Sequence, residues 1–274
     1  MYDDSTNRLW HCETVDGPMM LKVCDSHNVN TSLFWQGMKH LFGIDLPTQL
    51  EKFDQLYSDI STFSSLMIPD YIASQSAIKS EQSPAFILAR LLIGRMLESN
   101  GVNDEMVRSL AKHISDLHQH QRLTSGAVYS EGIEANQWPK YLKDSLLVLT
   151  EHYTDIIPEA LLTDVLNMLD ECTVDNFTLI MPDLRWDQFL QQDGQLTALV
   201  DLDAIVYGPR ELELVLLEFL LDEQQAVIFI EQYQQSHDLP DLSTVRKPYR
   251  LLLFMMNVLG EKNVDAWMQA PTRF

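Results

Sequence analysis

One stretch of the chain constrains its fold more than any other. It reads Thr178-Leu179-Ile180-Met181-Pro182-Asp183-Leu184-Arg185-Trp186-Asp187-Gln188-Phe189-Leu190, then passes through Asp193-Gly194 into Thr197-Ala198-Leu199-Val200-Asp201-Leu202-Asp203. Two β-like runs flank a glycine-containing turn, the signature of a hairpin. Asp183 stands before the first limb and Asp201 after the second. Closing the hairpin therefore brings carboxylates from distant positions to one mouth. Phosphoryl transfer needs such a pair: one carboxylate orients the proton of the nucleophile, and another holds Mg²⁺ against the phosphates. A side-chain amide a few residues past the base can add a metal oxygen, and Gln188 lies five residues past Asp183.

The rest of the chain has two textures. Residues 8–15 and 19–24 are short β-like runs around Asp16-Gly17-Pro18, which predicts a second hairpin. Apolar residues at Leu33, Phe34, Met38, Leu41 and Phe42 have helical spacing, and Gly43 and Pro47 close that helix. Residues 65–68 and 86–89 read as further strands, with a polar loop over 74–83 between them. Gly94 marks a break, and 95–103 reads as a linker. A strong helix follows, capped by Asn103 or Asp104, with Met106, Val107, Leu110, Ile114 and Leu117 in one stripe. Further helices are predicted over 140–153, 158–169 and 211–274, the last broken near Leu239-Pro240. The pattern is α+β: a small β-rich N-terminal lobe over 1–95 and a larger, mostly helical lobe over 96–274.

Composition excludes several classes. An apolar share of 46% with 22% charged residues suits a packed globular chain rather than a disordered one. Three cysteines without a CxxC pair argue against a zinc site and for a reducing compartment. Met1-Tyr2-Asp3-Asp4 does not open a signal peptide. The longest apolar run, residues 251–256, falls far short of the roughly 20 residues of a membrane span. A cytoplasmic protein is expected. The net charge of −21 disfavours nucleic-acid and anionic-lipid partners and tilts toward a cationic small molecule.

The 181–188 segment resembles the catalytic loop of aminoglycoside phosphotransferase and choline-kinase-like enzymes, whose pattern is His-x-Asp-Leu-x-x-x-Asn. Val200-Asp201-Leu202-Asp203 is similar to their Ile-Asp-Trp-Asp metal motif. Gly208-Pro209, then Glu213-Leu214, is similar to their Gly-Asp-Pro…Asp-Leu element. Leu117-His118 resembles the Leu-His that ends a helix in the family, and Lys22 sits where the family has a phosphate-pairing lysine. The resemblance implies a two-lobed protein kinase-like fold and an ATP-dependent kinase acting on a small-molecule hydroxyl or amine. It implies Asp183 as catalytic base, and Asp201 as the main Mg²⁺ ligand with Gln188 second and Asp203 assisting. It implies Lys22 on the α- and β-phosphates. Residues 88–92, with Leu88, Arg90 and Leu92, would form the hinge that meets adenine.

Four departures favour an alternative, a catalytically impaired pseudokinase serving as a binding or scaffold protein. Met181 replaces the loop histidine, whose hydrogen bonds would be lost. Gln188 replaces asparagine and adds a methylene. The 31–42 helix offers Phe34, Trp35 and Gln36 where an acid would pair with Lys22. Only 21 residues precede Lys22, room for one strand and a turn. Either the nucleotide-covering loop is missing or the sequence starts late. His118 and Trp186 are expected to pack, and Arg185 to pair with Asp187.

Overall fold

The computed structural model describes residues 6–78 and 83–274. The opening Met1 to Asp4 and residues 79–82 of the expected 74–83 loop lie outside them. The first half contains β1 (Asn7–Thr14), β2 (Gly17–Cys24), α1 (Ser26–Thr31), α2 (Leu33–Phe42), α3 (Leu46–Gln49), α4 (Phe53–Phe63), β3 (Tyr71–Gln75), β4 (Phe86–Arg90), β5 (Arg95–Met96) and α5 (Asp104–His118). The second half contains β6 (Gln121–Arg122), β7 (Gly126–Ala127), α6 (Trp138–Thr150), α7 (Glu159–Met168), β8 (Phe177–Ile180), β9 (Phe189–Gln192), β10 (Gln195–Leu199), β11 (Val206–Gly208), α8 (Arg210–Leu220), α9 (Glu223–Tyr233), α10 (Arg246–Met255) and α11 (Val264–Met268).

Strands β1 and β2 form the expected hairpin and extend into an antiparallel sheet of order β1-β2-β4-β3. Lys22 stands opposite Leu9 on one side and Ile87 on the other. Asn7 is opposite Cys24. Residues two apart on a strand, and residues opposite across a pair, share a face, so Asn7 and Lys22 project from the same face.

Two segments differ from the sequence reading. Residues 65–68 do not form a strand: Met67 alone bridges to Ala198, with the Met67 N–H 3.0 Å from the Thr197 carbonyl. Leu66 and Ile68 are buried, so this apolar run packs rather than ladders. The third strand of the sheet is β3, Tyr71–Gln75, whose last residues had been assigned to the loop. The expected linker over 95–103 holds β5, which pairs with β9.

Helix α4 is absent from the sequence reading, yet it lies against β3. It buries Phe53, Leu56, Tyr57 and Ile60, a single stripe at helical spacing. Helix α2, by contrast, packs on α6, β7 and β11. The helix beside the lysine-bearing sheet is therefore α4, not the 31–42 helix named from sequence.

The second lobe matches expectation more closely. Asn103 caps α5, its side chain accepting from the Met106 N–H at 3.0 Å, and the predicted apolar stripe is buried. The β9–β10 turn has Asp193 at φ 52° and Gly194 at φ 81°, the left-handed pair that a two-residue hairpin requires. Glu218 on α8 is buried and binds Arg250 at 2.7 Å and Arg246 at 3.0 Å. Arg250 in turn donates to the Ala270 carbonyl at 2.6 Å, which fastens the last residues onto α8 and α10. No helix among the described residues is long and apolar enough to cross a membrane.

Candidate active site

The site forms where the face of the first sheet meets the two loops around the β9–β10 hairpin. Lys22 places its Nζ 2.7 Å from Asp201 Oδ1 and 3.5 Å from Asp203 Oδ1. The lysine side chain is 12% exposed, Asp203 5% and Asp201 33%, so the ion pair is largely shielded but Asp201 reaches solvent. Asn7 donates from Nδ2 to Asp203 Oδ2 at 2.8 Å. Asp203 Oδ1 is buried and has no hydrogen-bond partner among the described residues.

Electrostatics follow from this geometry. Burial works against the charge on Lys22, but Asp201 and Asp203 outweigh it and hold its pKa well above the lysine range. Burial likewise pushes on Asp201, yet the adjacent ammonium keeps its carboxyl below the usual range. Asp203 is raised, chiefly by burial, with Asp201 adding repulsion against the pull of Lys22.

Asp183 is raised to about 7 by burial and by the negative charge of Asp201, against the pull of Arg185. A carboxyl near neutrality is matched to proton transfer at physiological pH.

Gln188 is buried and clamps the loop. Its Nε2 donates to the Asp183 carbonyl at 3.1 Å and to Asp183 Oδ2 at 3.0 Å. Its Oε1 accepts from the Arg185 N–H at 3.0 Å. As a metal ligand it would use the second lone pair of that oxygen, with the Arg185 N–H still bound to the first. The ion pair expected for Arg185 is present, with Nε 3.1 Å from Asp187 Oδ1. Trp186 is buried, its Nε1 donating to the Leu220 carbonyl at 3.4 Å.

The loop is anchored from below. Met181 lacks a histidine's hydrogen bonds, but its backbone N–H donates to Glu213 Oε1 at 2.7 Å. Glu213 Oε2 lies 2.8 Å from His118 Nε2, and His118 Nδ1 lies 2.8 Å from the Tyr233 hydroxyl. Glu213 and His118 are fully buried. A carboxylate can only accept, so Nε2–H donates to Glu213 and Nδ1 accepts from Tyr233. Gly208 makes the approach possible. A Cβ there would stand 2.5 Å from Ile180 Cδ1 and 3.0 Å from the Phe42 ring. Pro209 then starts α8, which carries Glu213.

The proposed hinge residues start in the middle of β4, where Leu88 follows the Ile87 that pairs with Lys22, and run past its end. Leu88 and Arg90 are within β4, paired with Leu21 and Met19, and so face away from Lys22. Arg90 donates to the Asp16 carbonyl at 2.7 Å and lies 3.5 Å from Asp70. Leu92 is in the connector between β4 and β5.

Sequence reasoning missed three residues at the site. Asn7 fixes Asp203. Tyr57, on α4, is buried and close enough to Lys22, Asp201 and Asp203 for their charges to act on it. Glu213 was named only as part of a motif. The helical spacing of Phe53, Leu56, Tyr57 and Ile60 was the signal that could have found Tyr57.

The chemistry of Asp201 and Asp203 fits a hard cation, since one buried carboxylate oxygen lacks a hydrogen-bond donor. Even so, no three His, Cys, Asp or Glu side chains among the described residues are grouped closely enough to hold a metal ion by themselves.

A sheet-bearing lobe with a buried lysine, set over a helical lobe with a loop carboxylate and a second acidic loop, is the two-lobed kinase-like fold. The chain belongs to the phosphotransferase enzyme family, which it matches over residues 3–248. Solved structures agree on the fold. A putative fructosamine-3-kinase from Haemophilus somnus superposes with a TM-score of 0.61 at 14% identity, covering 98% of this chain and 87% of that one. A macrolide 2'-phosphotransferase from Brachybacterium faecium gives 0.58 at 14% identity, covering 97% and 89%. An aminoglycoside 2'-phosphotransferase-IIIa, solved as its GDP complex, gives 0.56 at 18% identity, covering 92% and 80%. None of the curated proteins matches the sequence.

Proposed function

We propose that the protein is a nucleoside-triphosphate-dependent phosphotransferase that phosphorylates a hydroxyl or amine on a small molecule. The observation that carries this is the placement of Asp183, with its pKa near 7, beside the Lys22–Asp201–Asp203 cluster. Asp183 takes the proton of the acceptor as its oxygen or nitrogen bonds to the γ-phosphorus, while the bond from that phosphorus to the β–γ bridging oxygen breaks and the nucleoside diphosphate leaves. Lys22 binds the phosphates of ATP. Asp201 and Asp203 would hold Mg²⁺, which would supply charge neutralisation at the phosphates. Gln188 and Arg185 fix the loop so that Asp183 keeps its aim. Leu88 and Arg90 face away from Lys22, so residues 88–92 would meet the base of the nucleotide through their backbone.

The acceptor class is taken from the chemistry of the relatives and from charge. Macrolide, aminoglycoside and fructosamine phosphorylation are named for the similar structures. A net charge of −21 favours a cationic acceptor.

A second reading, a pseudokinase scaffold, is favoured by one observation: the Gln188 amide oxygen already accepts from the Arg185 N–H. Incubation with γ-labelled ATP or GTP and Mg²⁺, across a panel of amino sugars, glycated amines, macrolides and amino alcohols, separates the two. Transfer of label to at least one acceptor, lost in Asp183→Asn, is expected. Absence of transfer to every member of the panel, together with no nucleotide hydrolysis, contradicts the enzyme reading.

A further inference from the structure

Among the described residues Lys22 has two anionic partners, and both belong to the acidic loop. Its ammonium lies 2.7 Å from Asp201 Oδ1 and 3.5 Å from Asp203 Oδ1. The neighbouring helix, α4, presents the phenol of Tyr57 toward it and no carboxylate: the residues that α4 buries are Phe53, Leu56, Tyr57 and Ile60. No carboxylate of α4 draws the lysine away. Asp203 is held in place by Asn7 through Oδ2, which leaves Oδ1 turned to the lysine.

Two carboxylates side by side, one of them buried, favour a cation between them. Here the chain supplies it. An Mg²⁺ ion approaches a carboxylate oxygen to about 2.0–2.1 Å. On Asp201 Oδ1 it would share that oxygen with the ammonium and would be repelled by it at close range in a poorly solvated setting.

We propose that Lys22 is the resident counter-cation of the Asp201–Asp203 pair, so that a divalent cation occupies the pair only by displacing it. This rests on the reading of Asp201 and Asp203 as the cation ligands, and it adds an antagonism between this lysine and the metal. Free lysine and bound cation arise together: the ion that takes the carboxylates releases Lys22 toward the phosphates. Nucleotide and divalent cation should therefore each bind better in the presence of the other.

The test uses nucleotide-free, full-length protein and Mn²⁺ alone, with free Mn²⁺ counted by its solution electron-paramagnetic-resonance signal. Wild type is expected to bind Mn²⁺ weakly. Lys22→Met is expected to bind it at least about tenfold more tightly, and Lys22→Met combined with Asp201→Asn should lose that gain. Equal or weaker Mn²⁺ binding by folded Lys22→Met overturns the proposal.

Should Lys22→Met not fold, Tyr57→Glu provides the reading. A carboxylate on α4 offers the lysine a partner off the pair, so Mn²⁺ affinity should rise. An unchanged affinity overturns the proposal. The measurement contains no nucleotide and no acceptor. Its failure therefore leaves the transfer assay untouched, and failure of that assay leaves this result standing.

Discussion

Asp183→Asn is expected to reduce phosphoryl transfer by about 10³-fold, as removal of a positioned general base does, while making the protein more stable at neutral and alkaline pH. The reason is the cost of keeping this carboxylate charged. Its folded pKa of about 7 lies above the usual 3.8, so the folded state holds the proton more tightly than the unfolded chain. Stability is therefore greatest below about pH 4 and falls as pH rises through about 7. Asparagine has the same shape and no charge, and removes that slope.

Because Asp183 is only partly buried, the expected gain above about pH 7 is near 2 kcal/mol rather than the full value of the shift. Urea unfolding at about pH 8 and about pH 5 measures it. A variant that loses activity but is also less stable at pH 8 would show that Asp183 is a structural carboxylate. Retained activity would remove it from the chemistry altogether.

Glu213→Ala is expected to be the most damaging single change near the site. It leaves the buried Met181 N–H and His118 Nε2–H without an acceptor. Breaking a buried charge-assisted network by deleting one partner typically costs about 3–5 kcal/mol, or a melting-temperature drop on the order of 10 °C for a chain of this size. Activity should fall beyond what partial unfolding explains, because Met181 lies two residues before Asp183 and its N–H fixes the start of the loop. Glu213→Gln keeps one acceptor oxygen and should cost only about 1–2 kcal/mol. Equal effects of the two substitutions, measured by thermal unfolding and by transfer rate at a temperature where both are folded, would rule out this anchoring role.

Much of the site was legible because its parts are local. The hairpin follows from two β-like runs around Asp193-Gly194, and Asp183 and Asp201 at its ends are fixed by the closure of that hairpin. Lys22 was singled out by its place late in the first hairpin, where the resembled family has a lysine, and strand pairing then sets its face. His118 was expected to pack and is fully buried. What escaped was non-local. Asn7 touches Asp203 across 196 positions of sequence, and no spacing rule relates them. The loop histidine is absent, yet its loop is held, because a glutamate on a distant helix takes the backbone N–H instead.

The fold reading failed where a short apolar run is ambiguous. Residues 65–68 have strand composition, but their side chains pack and only Met67 makes a bridge. The assignment of α2 as the helix beside Lys22 failed for a different reason. Sequence order suggested the first amphipathic helix after the lysine strand, whereas the chain first sends α2 to the other lobe and returns with α4. Tyr57 therefore stands where an acid was sought on the wrong helix, and Lys22 pairs with the acidic loop.

Lys22, Asp201, Asp203 and Asp183 together are proposed to line a nucleotide-phosphate site. Titration calorimetry of ATP, and separately GTP, into the full chain with Mg²⁺ tests it most directly, with Asp201→Asn alongside. The predicted result is saturable binding of at least one nucleotide. At concentrations about a hundredfold above Kd it should be accompanied by stabilisation of about 2.7 kcal/mol, and both should be lost in the Asp201→Asn variant. No heat and no stabilisation with either nucleotide at millimolar concentration, or binding that Asp201→Asn leaves unchanged, would contradict it.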